Sequence, residues 1–222
     1  MDAVIFDCDG VLVDSEILAI RFGLRAVEAL GLSYTEDEYI HRFLGTTMDA
    51  YFATLEADRM AALGKPLPDG FAESLLTNSK REMDAALAAI EGVHSAVSAV
   101  TVPTAVASSS GLERLRFKLE KTGLLEAFNP HFYSGEQVKN GKPAPDLYLH
   151  TAEQINIPAA ACVAIEDSVH GVVAAKAAGM TVIGFTGGGH CRPGHGTYLS
   201  DAGADIVIDH MDQLAETLRR FS

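Results

Sequence analysis

Long apolar runs are missing from this chain of 222 residues. No stretch of about 18 apolar residues occurs, which argues against a membrane-spanning helix. Positive charge is thin: 17 Lys and Arg stand against 30 Asp and Glu, for a net charge of −13. No basic cluster appears, and nucleic-acid binding rests on neutralising phosphates, so nucleic acid is excluded as an expected partner. Cysteine is sparse, with Cys8, Cys162 and Cys191 far apart. Two of them sit in apolar strand-like runs, so buried free thiols are expected rather than disulfides. The first residues show no basic segment followed by an apolar stretch and a cleavage site, so the cytoplasm is the expected location. The length fits one large domain, or a core carrying a smaller second one.

What the chain does have begins at Ile5–Gly10, "IFDCDG". In an extended strand residues i and i+2 face the same side, which puts Asp7 and Asp9 into one space and turns Cys8 away. Two close carboxylates in a partly dry spot repel by about 3–4 kcal/mol at an intermediate dielectric. A shared proton, a nearby base or a cation must relieve that repulsion.

The run "AVIFD" reads as a buried strand. From Ser15 to about residue 90 strand signals are almost absent. "SEILAIRFGLRAVEALG", "TEDEYIHRFLG", "MDAYFATLEADRMAALG" and "FAESLLTNSKREMDAALAAI" read as helices. In the last, Leu76, Lys80, Met83, Leu87 and Ile90 follow a three-to-four spacing. Asp14, Ser15 and Glu16 are suited to starting the first helix. Later, "VPTAVASSS", "HFYSG", "ACVAIED", "MTVIGF" and "ADIVID" read as strands that alternate with helical segments. The expected fold is therefore α/β: a Rossmann-like parallel sheet with helices on both faces. A small all-helical cap domain, residues 15–88, interrupts a core built from 1–14 and 89–222. The two chain crossings are natural hinges.

Ligands of open parallel sheets bind beyond the carboxyl ends of the strands. Asp7 and Asp9 end one expected strand, Ser108–Ser110 another, Glu166 and Asp167 a third, and "KNGKPAPD" places Lys142 in a loop. Oxygen ligands without a cysteine or histidine cluster suit a hard ion, Mg²⁺ first. The serine hydroxyls and the backbone N–H groups opening the next helix form an anion seat, and Lys142 adds a point charge. Pure helix capping is the plainer reading of the serines. His190, Cys191 and His195 match no closed four-ligand zinc spacing and read as loop or substrate-side residues.

"DCDGVLVDS", "ASSS", "GKPAPD" and "IEDSVHG" resemble, in order and spacing, the four motifs of the haloacid dehalogenase superfamily. The chain looks like its helical-cap phosphatase and beta-phosphoglucomutase-like branch. The resemblance implies that Asp7 is a nucleophile forming an aspartyl-phosphate. It implies that Asp9 is the general acid/base, its backbone carbonyl joining the metal. Ser108, with Ser109 beside it, resembles the phosphate-binding second motif, and Lys142 the third. Asp167 resembles the metal-binding acid, with Glu166 as ligand or outer partner. The cap loop around Arg42–Met48, with Gly45 and Thr46, is expected to meet substrate. The mutases carry a histidine and an arginine where this chain has Ala19 and Met48. The expected function is thus a Mg²⁺-dependent phosphatase of a small phosphorylated metabolite, a sugar phosphate or sugar-acid phosphate, working as a monomer or weak homo-oligomer. A sugar-phosphate mutase and a noncatalytic phospho-ligand binder are the alternatives.

Overall fold

The structure is a computed structural model that describes residues 1–43 and 48–221. Gly45 and Thr46 lie outside the described residues. In chain order the first elements are β1 (Ala3–Phe6), α1 (Ser15–Ala29), α2 (Glu36–Phe43), α3 (Met48–Leu63), α4 (Phe71–Ala86) and α5 (Val93–Ala99). Then come β2 (Thr104–Ser108), α6 (Leu112–Lys121), α7 (Leu125–Phe128), β3 (Phe132–Ser134) and α8 (Asp146–Gln154). The chain closes with β4 (Cys162–Glu166), α9 (Val169–Ala177), β5 (Thr181–Phe185), α10 (His195–Asp201), β6 (Ile206–Ile208) and α11 (Leu214–Leu218).

The six strands form one parallel sheet in the order β3-β2-β1-β4-β5-β6. A strand covered on both faces should be apolar throughout, and all four residues of β1 are fully buried. Ala3 and Ile5 face a core shared with Leu147 and Tyr148 of α8, Val172 of α9 and Leu199 of α10. On the opposite face Phe6 meets Phe128 of α7 edge to face, ring centres 5.6 Å apart. β1 pairs with β2 on one side and β4 on the other, in the register Ile5 to Ala105 and Ile5 to Ala164. The chain reverses its direction across the sheet at β1, so a crevice opens at the carboxyl ends of β1, β2 and β4.

Two compact units divide the chain: the α/β unit, Met1–Asp14 with Leu87–Ser222, and a helical unit, Ser15–Ala86. The helical unit has its own core of Ile20, Val27 and Leu30 from α1, Tyr39 and Phe43 from α2, Leu55 from α3 and Leu75 from α4. The expected stripe on α4 is corrected here. Leu76 is 48% exposed while Leu75 is buried, and the helix stops at Ala86. Leu87 and Ile90 are buried in the α/β unit instead. Ile90 N donates to Leu12 O and Val13 bridges Ala89 antiparallel, so backbone pairing outside the helix claims the segment that periodicity assigns to it. No helix among the described residues is long and apolar enough to cross a membrane.

Gly23 sits inside α1 where alanine would be the better helix former by roughly 0.5–1 kcal/mol. A Cβ there would overlap the phenol end of Tyr39, which is buried and hydrogen-bonded to Tyr51. Gly23→Ala is expected to lower stability by about 1–3 kcal/mol, the usual cost of overpacking. A thermal unfolding midpoint at or above wild type would show that propensity outweighs packing.

Candidate active site

β1, β2 and β4 run from apolar residues into polar ones at their carboxyl ends. Asp7 follows β1, still in the ladder through its N–H to Ile165 O at 3.0 Å. Glu166 is the last residue of β4, and Asp167 follows it. Asp7, Glu166 and Asp167 are all buried, and their carboxylates offer oxygens within 4.8 Å of one another. Oxygens around an ion with 2.1 Å bonds lie at most roughly 4.2 Å apart, which falls inside that limit.

Lys142 Nζ lies among them and spends three donors: Asp7 Oδ1 at 2.5 Å, Glu166 Oε1 at 2.6 Å and the Ala107 carbonyl at 2.9 Å. Burial opposes its charge, yet Asp7 and Glu166 hold the ammonium pKa well above the ordinary lysine value. Burial pushes the Asp7 carboxyl well above the usual range, Lys142 opposes this, and Glu166, Asp167 and Asp9 push the same way as burial. Glu166 is saturated by protein: Oε1 also accepts from Tyr148 OH at 2.6 Å, and Oε2 accepts from Ser168 Oγ at 3.2 Å.

Asp9 faces a different set. Its Oδ1 pairs with Lys118 Nζ, and its Oδ2 accepts from Ser110 Oγ at 2.9 Å and Ser108 Oγ at 3.5 Å. Lys118 also donates to Ser110 Oγ at 2.7 Å. The serines therefore organise a carboxylate. The N–H of Leu112 that opens α6 is instead accepted by Glu136 Oε2 at 3.0 Å. Ser108 is buried, whereas Ser109 is exposed beside the cluster. Asp14, expected to start α1, has its Oδ1 accept from the N–H of Gly189 at 3.0 Å.

Gly10 completes the opening motif. It adopts φ +78°, and a Cβ would overlap the Asp167 carboxylate and crowd the His190 ring. Only glycine meets both demands at low cost. Gly171, inside α9, plays a similar part: a Cβ there would overlap the Glu166 carboxylate. Gly171→Ala is expected to destabilise the protein by about 1–3 kcal/mol through overpacking, despite the better helix propensity of alanine. A raised unfolding midpoint would contradict this.

Lys118 and Tyr148 belong to this neighbourhood and were not among the sequence-derived site residues; His190 and His195, expected as loop or substrate-side residues, belong to it too. The signal for Lys118 is a lysine on the apolar stripe of α6, between the buried Leu115 and Leu119. Tyr148 lies on the buried face of α8. His190 Nε2 is 3.1 Å from Asp167 Oδ2, and His195 Nε2 donates to the Asp167 carbonyl at 2.6 Å. These last contacts join a glycine-rich loop to a strand end, and no periodicity reports them.

The donor set fits Mg²⁺. The acids are four, Asp7, Asp9, Glu166 and Asp167, against two lysines, and the deficit matches a divalent cation. All donors from Asp7, Glu166 and Asp167 are oxygens, which suits a hard ion.

The model of the haloacid dehalogenase-like hydrolase family matches residues 4–185. The chain belongs to that family. Among curated relatives, a 6-phosphogluconate phosphatase of Escherichia coli K12 is 30% identical over 87% of this chain and 86% of its own. A phosphorylated carbohydrates phosphatase of Thermotoga maritima is 37% identical over 81% of this chain and 82% of its own. A haloacid dehalogenase family hydrolase from Deinococcus radiodurans, solved with bound phosphate and sodium, superposes with a TM-score of 0.89. It is 35% identical and covers 100% of this chain and 96% of its own. The four expected motifs thus belong to a hydrolase of this family, and the expected α/β fold is the observed one.

Proposed function

We propose that this haloacid dehalogenase-like hydrolase is a Mg²⁺-dependent phosphatase of a small phosphorylated carbohydrate, working through an aspartyl-phosphate on Asp7. The observation that carries the reading is the buried Asp7 carboxylate, paired with Lys142 and set among Glu166 and Asp167. The names of the E. coli and T. maritima relatives support the substrate class.

Asp7 and Asp167 would hold the metal, with the Asp9 backbone carbonyl as the resemblance implies. Glu166, already saturated by Lys142, Tyr148 and Ser168, would act chiefly as the anchor of Lys142. When bound, Mg²⁺ supplies positive charge to the phosphoryl oxygens and lowers repulsion toward an anionic nucleophile. Everything else falls to the chain. Lys142 neutralises charge beside the nucleophile and keeps Asp7 in place. In the first step an Asp7 oxygen bonds to phosphorus, the bond from phosphorus to the sugar oxygen breaks, and a protonated Asp9 gives its proton to the leaving alkoxide. In the second step water bonds to phosphorus, the bond to Asp7 breaks, and Asp9 takes the water's proton. The ion pair with Lys118 and the bond from Ser110 Oγ hold Asp9 in position for both proton transfers. A binder would need neither the second aspartate nor its own lysine.

Release of inorganic phosphate from an aryl phosphate, then from a panel of sugar and sugar-acid phosphates, tests the proposal. Activity should vanish with a chelator and return with Mg²⁺. Absence of phosphate release from every ester with Mg²⁺ present would reject it.

A further inference from the structure

His190, Cys191 and His195 sit on the loop after β5 and the first residue of α10, close to the acidic site yet unused by the chemistry above. Each offers a ligand atom within 4.8 Å of the others. His190 Nε2 lies 3.6 Å from Cys191 Sγ and 3.1 Å from Asp167 Oδ2. Ligands about 2.0–2.3 Å from a tetrahedral Zn²⁺ lie about 3.3–3.6 Å apart, and the two separations at His190 are close to that. In the sequence the three residues match no closed four-ligand spacing. Asp167, just after β4, stands beside the group, its Oδ2 3.1 Å from His190 Nε2, and is the candidate for a fourth ligand.

Two features prepare the ligands. A carbonyl only accepts, so the His195 Nε2 bonded to the Asp167 carbonyl carries a proton, which leaves Nδ1 as the ring nitrogen that could ligate. Metal-bound histidines use this arrangement, one ring nitrogen tied to a carbonyl and the other free to ligate. His190 is buried, its ring packed against Gly10 and Gly188, where side chains would overlap or crowd it. The loop is pinned on both sides: Gly189 N to Asp14, and Cys191 N to the Gly188 carbonyl at 3.0 Å.

The geometry points to a second metal site, formed by His190, Cys191 and His195 with Asp167 as shared fourth ligand, that takes a thiophilic divalent ion of the Zn²⁺ class. Its donors are two imidazoles, a thiolate and one carboxylate oxygen, a set that favours zinc over magnesium. Asp167 is common to both sites, so an ion here competes for a carboxylate of the phosphatase site. That consequence rests on the proposed function; the binding itself does not.

The test is binding to the full, metal-free chain. Titration with Co²⁺ as a coloured stand-in should produce a thiolate-to-cobalt absorption band, and calorimetry should give one tight Zn²⁺ equivalent per chain. Cys191→Ser should remove the band and weaken Zn²⁺ at least about tenfold. Cys162→Ser, a thiol buried in β4, should leave both unchanged. A missing band in wild type, or one that survives Cys191→Ser, overturns the assignment. Should Cys191→Ser fail to fold, alkylation of wild-type Cys191 read by peptide mass decides: Zn²⁺ should slow it at least about tenfold, and an unchanged rate overturns the site. Loss of phosphatase activity alone would leave this result standing, which separates the two readings.

Discussion

Asp7→Asn is expected to reduce phosphate release by about a thousandfold or more, the scale seen when a member of a covalent catalytic set is removed. Asparagine keeps the volume and one oxygen for Lys142 to bond, so the local packing should persist. The carboxylate that would attack phosphorus is gone, together with a metal ligand. Stability should hold or rise. Burial works against the Asp7 charge, and Lys142 retains Glu166 Oε1 and the Ala107 carbonyl as partners. The result to look for is therefore a split: activity lost, unfolding midpoint preserved. Activity within tenfold of wild type would rule Asp7 out as the nucleophile. A collapsed midpoint would assign Asp7 a structural part instead.

Asp9→Asn should slow turnover by about 10²–10⁴-fold, the usual worth of a positioned acid or base. The effect should fall unevenly on the two steps. Transfer to Asp7 needs a proton for the leaving group, and a good aryl leaving group needs it least. Attack by water needs a base whatever the substrate was. With an aryl phosphate the variant should therefore accumulate phosphorylated Asp7, seen as an intact-mass gain of one phosphoryl group that Asp7→Asn does not show. The Lys118 neighbourhood adds a second readout. Lys118 is buried, and its carboxylate partner would be replaced by a neutral amide. Leaving one charge of a buried pair uncompensated is destabilising, so the Asp9→Asn midpoint should fall where that of Asp7→Asn does not. Equal rate losses on aryl and sugar phosphates, without a trapped species, would remove Asp9 from the proton transfers.

The two aspartates thus share a motif but occupy separate surroundings. The opening motif poses a repulsion problem, and an ion near Asp7 was its expected answer. The structure answers it twice. Asp7 has Lys142 close by, while Asp9 has Lys118 and Ser110. The lysine in "GKPAPD" was legible because it stands in a loop with a family motif around it. Lys118 was not, because a lysine on an amphipathic helix ordinarily reaches for water. Only the turn of α6 against β2's end, with Leu115 and Leu119 buried on either side, brings it to Asp9.

The helical unit shows a similar limit. Spacing finds its helices, since apolar residues repeat every three to four positions. Spacing did not find which face of α4 is buried, nor that the chain after Ala86 leaves the helix to pair near Val13. Leu87 and Ile90 fit a helical stripe equally well in either place.

Local chemistry written along the chain settled what kind of parts this protein has: apolar strands that end in acid, helices between them, and four short motifs in a fixed order. Those features depend on neighbours a few residues away, which a sequence displays directly. The tertiary structure alone decided which distant parts meet. Asp167 comes to face His190 and Asp9 comes to face Lys118 because parallel strand order and helix packing fold remote segments onto the carboxyl ends of one sheet's strands, and no local pattern encodes those distances.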